Sequence, residues 1–204
     1  MEILLNIIYN SYLKYFEYGA RSSKKVDYFH NKIKEILEGI FIDNTKYNIK
    51  LELNIPSYNS SGFKKCDIVV LKYDKPYIIF PVKLIMSNYK QNKNNSWENL
   101  TGELQHIKWL NEDIYIIPIN IIMNNTPYLN EKKVIIRFEN INIKDFHNYQ
   151  ILVDKKICYD IITYIIDVEH IDKINEIYSN IPIIIGFNKD TEFRTFEYIL
   201  RELV

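Results

Sequence analysis

Residues 66–83 read Cys66-Asp67-Ile68-Val69-Val70-Leu71-Lys72-Tyr73-Asp74-Lys75-Pro76-Tyr77-Ile78-Ile79-Phe80-Pro81-Val82-Lys83, two apolar runs joined by Asp74-Lys75-Pro76. Short β-branched runs with so brief a connection form a hairpin. Centring the turn on Lys75 pairs residues whose numbers sum to 150, which sets Asp67 opposite Lys83. Directly opposed residues on antiparallel strands point to one face, with Cβ atoms about 4.5–5.5 Å apart. A carboxylate and an ammonium are therefore expected side by side among apolar neighbours, an expensive place for charge unless the ions are paired or coordinated. Two readings stand together here. One is a structural ion pair at the rim of a sheet. The other is a metal site, in which the carboxylate holds a divalent cation and the lysine orients water and offsets charge on a phosphodiester.

Upstream of the hairpin, Ile3, Leu4, Ile7, Ile8 and Phe16 predict an amphipathic helix over 2–18, interrupted by Gly19-Ala20-Arg21-Ser22-Ser23-Lys24-Lys25. A second helix is expected over about 24–40, carried by Val26, Phe29, Ile33, Ile36, Leu37 and Ile40, with Ser23 as its cap. From Tyr47 the period falls to two, and Ile49, Leu51, Leu53 and Ile55 predict a strand exposed on one side. Downstream, the asparagine- and lysine-rich stretch Asn88 to Asn95 reads as a loop. Trp97, Leu100, Leu104, Ile107 and Leu110 then have helical spacing. DIYIIPINIIM, VIIRF and IPIIIGF read as strands, and helices are expected at roughly 150–168, 171–179 and 191–203. Helices, a meander, a helix and further strands indicate an α/β fold, a mixed β-sheet core flanked by helices. With no repeat or linker, residues 1–204 are expected to form one domain.

The 26 basic and 26 acidic residues cancel, which argues against a nonspecific nucleic-acid coat protein but leaves room for a cleft of one sign. The heavy use of isoleucine, asparagine, lysine and tyrosine is what an AT-rich genome encodes, so the asparagines do not signal disorder. Cys66 and Cys158 lie in apolar segments and read as buried free thiols in a reducing interior. The histidines are scattered, with neither zinc-ligand spacing nor a triad. The first residues carry Glu2, Lys14 and Glu17 and lack a leader's cleavage site, and no stretch is apolar enough to span a bilayer. A cytoplasmic protein with no membrane partner is expected.

CDIVV, the turn and IIFPVK together resemble the core of the PD-(D/E)XK nuclease superfamily, to which many type II restriction endonucleases belong. The resemblance spans about residues 47–123 and implies a restriction endonuclease-like fold with Asp67 as the first acid and Lys83 as the lysine of the acidic-x-Lys tripeptide. The tripeptide here is Pro81-Val82-Lys83, so the acidic position holds proline. One branch of these enzymes supplies the missing carboxylate from the helix after the lysine strand, and Glu98, in the expected first turn of that helix, matches it. An acid in a first turn also simply favours the helix dipole, by about 0.3–1 kcal/mol. Glu103 is the alternative, and Glu17 a further outer acid or a solvated surface charge.

Lys90 and Lys93 suit phosphates, Asn88, Gln91 and Asn94 suit base edges, and Tyr89 suits stacking or a phosphate. Arg21, Lys24 and Lys25 form a second phosphate-contact candidate. The resemblance thus implies a Mg2+-dependent, sequence-specific endonuclease acting on double-stranded DNA. Asp67 and Glu98 would ligate the metal and Lys83 complete the catalytic set, in a homodimer that pairs two sites for two strands. The Tyr- and Ile-rich 157–168 stretch is a candidate contact surface and equally a candidate core segment. A PD-(D/E)XK nuclease of repair or recombination, or an inactive nucleic-acid-binding domain of the same fold, is the alternative.

Overall fold

The computed structural model describes residues 1–19, 21–141, 143–189 and 193–204, with the side chains of residues 92, 143, 145 and 147 outside the description. Two helices come first, α1 (Glu2–Tyr18) and α2 (Lys24–Ile40), with the limits the apolar spacing predicts. Leu4, Ile7, Ile8, Tyr12 and Tyr15 of α1 and Phe29, Ile33 and Leu37 of α2 are buried, each set one turn apart, so both helices lay one stripe on the same core.

Strands β1 (Tyr47–Pro56), β2 (Phe63–Lys72) and β3 (Lys75–Phe80) form the antiparallel meander. β4 (Val82–Ile85) follows directly and leads into α3 (Tyr89–Lys108), which returns the chain to β5 (Tyr115–Ile116) and β6 (Ile119–Met123). A small hairpin, β7 (Asn125–Leu129) with β8 (Ile135–Asn140), precedes a 3-10 turn (Ile143–Phe146) and α4 (His147–Asp154). β9 (Ile162–Glu169), β10 (Ile183–Phe187) and α5 (Phe196–Leu200) complete the chain.

β3 pairs in parallel with β5, and β4 with β6, which pairs in parallel with β9; β10 closes that edge antiparallel. Pro81 interrupts the β3–β4 run, and Pro118 interrupts β5–β6 at the same level. Proline has no N–H for the ladder, so each run breaks there. Hydrogen bonds from Ile117 N–H to the Ile79 carbonyl (2.9 Å) and from Ile119 N–H to the Pro81 carbonyl (2.8 Å) carry the sheet across the break. The result is a mixed sheet flanked by helices, as the element order implied. No described helix is long and apolar enough to cross a membrane.

Besides the helix expected at 171–179, which is instead turn and bend with an isolated bridge from Ile177 to Val134, three local expectations are corrected. The 150–168 helix is in fact α4 followed by a strand: Ile162–Glu169 is a β-branched run buried in parallel pairing with β6, and burial on both faces erases the alternation that marks an exposed strand. The 157–168 stretch therefore presents no helical contact surface. The Asn/Lys loop is the first half of α3. Asn88, left-handed at φ 53°, brackets Leu129 by accepting its N–H (2.8 Å) and donating to its carbonyl (3.2 Å). The buried Glu139 carboxylate then accepts the Lys90 N–H in the helix's first turn (3.0 Å), where an anion offsets the unpaired amides.

The third correction is the hairpin register. Tyr73 and Asp74 both have positive φ (50° and 61°) and form a two-residue turn between Lys72 and Lys75, the geometry whose twist suits a tight hairpin. After an irregularity between Val70 and Leu71, Ile68 pairs with Phe80. Continuing that register sets Asp67 in line with Pro81, not with Lys83.

Candidate metal and active site at the fork of the sheet

At Asp67 the sheet divides. Residues 63–66 of β2 remain paired with β1, but the β2–β3 pairing ends at Ile68 and Phe80, and β4 pairs with β6 instead. The Asp67 carboxylate occupies the fork, where its Oδ2 accepts the backbone N–H of Val82 at 2.7 Å. Lys83 is the next residue. Val82 packs in the core beneath α1 and α2, so Lys83 lies in the polar row that continues in register through Asn120 of β6 and Thr163 of β9. Asn120 is buried and donates to Thr163 Oγ1 at 3.4 Å. Lys83 is half-buried, and among the described residues its ammonium makes no ion pair, with Asp67 or any other acid.

The β1–β2 pair also changes faces at this level. Ile49, Ile68 and Val70 pack under α1 and α2. Ile55 and Cys66, at the same alternation, pack instead with Leu100, Leu104 and Ile107 of α3. The switch falls at Glu52, which the register places across from Asp67 and which has φ 54° inside a strand. A non-glycine residue there is strained, and strain of this kind collects at functional positions.

Opposite the switch stands His30 of α2. It is 1% exposed, and its Nδ1 is 3.3 Å from Glu52 Oε1, without the alignment a hydrogen bond needs. Both ring nitrogens are buried with no hydrogen-bond partner among the described residues. Such an omission costs about 1–3 kcal/mol per group. Burial pushes the imidazole below its usual pKa, against the pull of the Asp67, Glu52 and Asp27 carboxylates. Glu52 Oε2 meets Lys65 Nζ at 2.8 Å on the solvent side. One ligand atom from each of His30, Glu52 and Asp67 lies within 4.8 Å of the others, and among the described residues no other such group of three or more forms.

The acids expected from α3 stand outside that group. Glu98 is exposed near the middle of α3, not in its first turn. Glu103 forms an ion pair with Lys64 of β2 at 2.6 Å, and its charge is felt by Cys66. Glu17 is exposed on the last turn of α1. Of the DNA-contact candidates, Lys90, Gln91 and Asn94 are exposed along α3. Asn94 and Lys93 line a cleft with Ile85, Trp97, Phe146 and Tyr149. Asn88 is committed to Leu129, and Tyr89 is a core residue at 2% exposure.

His30 and Glu52 were not singled out by sequence. The available signal was that His30 lies one turn before Ile33 and two before Leu37, on the buried stripe of α2. No family model, no curated protein and no solved structure matches the chain at a significant level.

Proposed function

We propose that the protein is a metal-dependent DNA endonuclease of the PD-(D/E)XK type, acting at the fork around Asp67. The observation that carries this reading is the Asp67–Val82 hydrogen bond. It ties a carboxylate to the residue before Lys83, at the point where an antiparallel hairpin gives way to parallel strands. The donor chemistry fits a cation: a half-buried carboxylate with two further ligand-bearing side chains within reach. Bound there, a divalent cation would polarise the phosphate and lower the pKa of its water. Lys83, without an ion-pair partner among the described residues, orients the water and offsets charge developing on the phosphate. Lys90, Gln91, Lys93 and Asn94 present donors to the DNA backbone and base edges along α3.

The second carboxylate comes from α3. Glu98 is the residue the family pattern favours, while Glu103 is the one that reaches β2, through Lys64. A homodimer acting on double-stranded DNA completes the reading, and light scattering of the purified chain measures it. The exposed Ile183 and Ile185 on β10 offer an apolar strip for self-association.

Pro81 in the acidic position favours the alternative of a domain that binds nucleic acid without cutting it. Plasmid incubated with the protein and Mg2+ or Mn2+ separates the two. Nicking that disappears in Lys83→Ala supports the nuclease, and intact plasmid under both ions overturns it. A discrete fragment pattern on mixed DNA indicates a restriction enzyme; a smear indicates a repair or recombination nuclease.

A further inference from the structure

We propose that His30, Glu52 and Asp67 form a binding site for a divalent transition-metal ion such as Mn2+, Co2+ or Zn2+, joining α2 to the β1–β2 pair. Three observations converge. The ligand atoms lie within 4.8 Å of one another. Two ligands about 2.1 Å from a shared tetrahedral centre stand about 3.4 Å apart, and the His30 Nδ1–Glu52 Oε1 separation is 3.3 Å. His30 is 1% exposed, and neither ring nitrogen has a hydrogen-bond partner among the described residues, so the imidazole lone pair is committed to no donor there.

The donor set selects the ion. Two carboxylates alone would suit Mg2+ or Ca2+, but a nitrogen ligand favours the borderline first-row ions and disfavours Mg2+, which prefers oxygen and its own waters. Glu52 divides its oxygens, with Oε1 toward His30 and Oε2 on Lys65 at 2.8 Å. Asp67 likewise gives Oδ2 to Val82. Each carboxylate is thus oriented by a neighbour, as ligating carboxylates generally are. The site shares Asp67 with the nuclease reading but does not rest on it. A chain that binds the ion and leaves DNA intact keeps the site and loses the nuclease.

Cobalt titration of the full chain tests the site. One Co2+ per chain is expected, with visible absorption of a nitrogen-containing coordination sphere. Glu52→Gln and His30→Gln should each weaken binding by more than the roughly 10–100-fold that losing an outer partner costs. Glu52 is 40% exposed, so its variant keeps the packing even if the His30 variant does not fold. In the unaltered protein, Zn2+ should shift the ring resonances of His30 alone among the four histidines. The proposal is overturned if no Co2+ binds, if Glu52→Gln binds it as the native chain does, or if Zn2+ leaves the His30 ring unmoved.

Discussion

The Asp67 carboxylate accepts the backbone N–H of Val82 at 2.7 Å, across the point where β2 and β4 part company. The contact is structural and electrostatic together, and the two roles separate by substitution. An asparagine side chain at this position would still offer an oxygen to Val82; an alanine would not. Asp67→Asn is expected to melt near the native temperature and yet lose cleavage. Asp67→Ala should also lose about 1.5–3 kcal/mol of stability, the usual worth of a hydrogen bond to a charged group. Equal melting of the two variants would show that the bond contributes nothing to the fold.

The two acids of α3 make opposite demands. Glu103 is tied to Lys64 on β2 at 2.6 Å, and Glu98 is exposed. Glu103→Gln should abolish plasmid nicking while costing at most about 1 kcal/mol of stability, since the pair is partly solvated. Glu98→Gln should leave nicking intact. The reverse pattern in the plasmid assay assigns the second carboxylate to Glu98.

α1 and α2 were legible in the sequence because their apolar stripes are regular and each faces one core. The sequence places Asp67 and Lys83 on one hairpin, but the β2–β3 pairing stops at Ile68 and Phe80, and Lys83 falls on β4, which pairs with β6. Tyr73-Asp74 is a weak turn signal, and its two left-handed residues make the connection shorter than Asp74-Lys75-Pro76 suggests. Tertiary contacts hid α3's start: its first turn is fixed by Glu139 and Leu129, which lie far along the chain. His30 and Glu52 meet only because β1 changes faces, an event with no local sequence mark.

Glu139 anchors the start of α3 through the Lys90 N–H and is itself held by Arg137 at 2.9 Å. The carboxylate is buried, whereas Arg137 is more than half exposed. Arg137→Ala leaves a buried anion with one fewer donor and should cost about 1–3 kcal/mol. For a chain of this length that is roughly 2–12 °C in Tm. Hydrogen exchange at the Lys90 amide should quicken in parallel. Unchanged exchange there would mean that Arg137 plays no part in holding the helix.

Both cysteines are buried and free, and burial pushes each thiol up to about 12. The raised values keep both groups protonated at pH 8, and the thiolate is the reactive form. Native protein should therefore leave a disulfide reagent unreacted at pH 8, and denatured protein should release two equivalents, one for each cysteine. Fast labelling of the native chain would show that one of these segments opens readily.

Glu52 is the one residue of β1 with a positive φ among the described residues. Its left-handed φ of 54° is one that glycine adopts without penalty and glutamate does not. Selection for a more heat-resistant chain would favour glycine at this position; selection for a carboxylate beside the imidazole would forbid it. Durability and a carboxylate beside the imidazole thus compete for a single codon, and whichever residue stands there in a related chain records which demand prevailed.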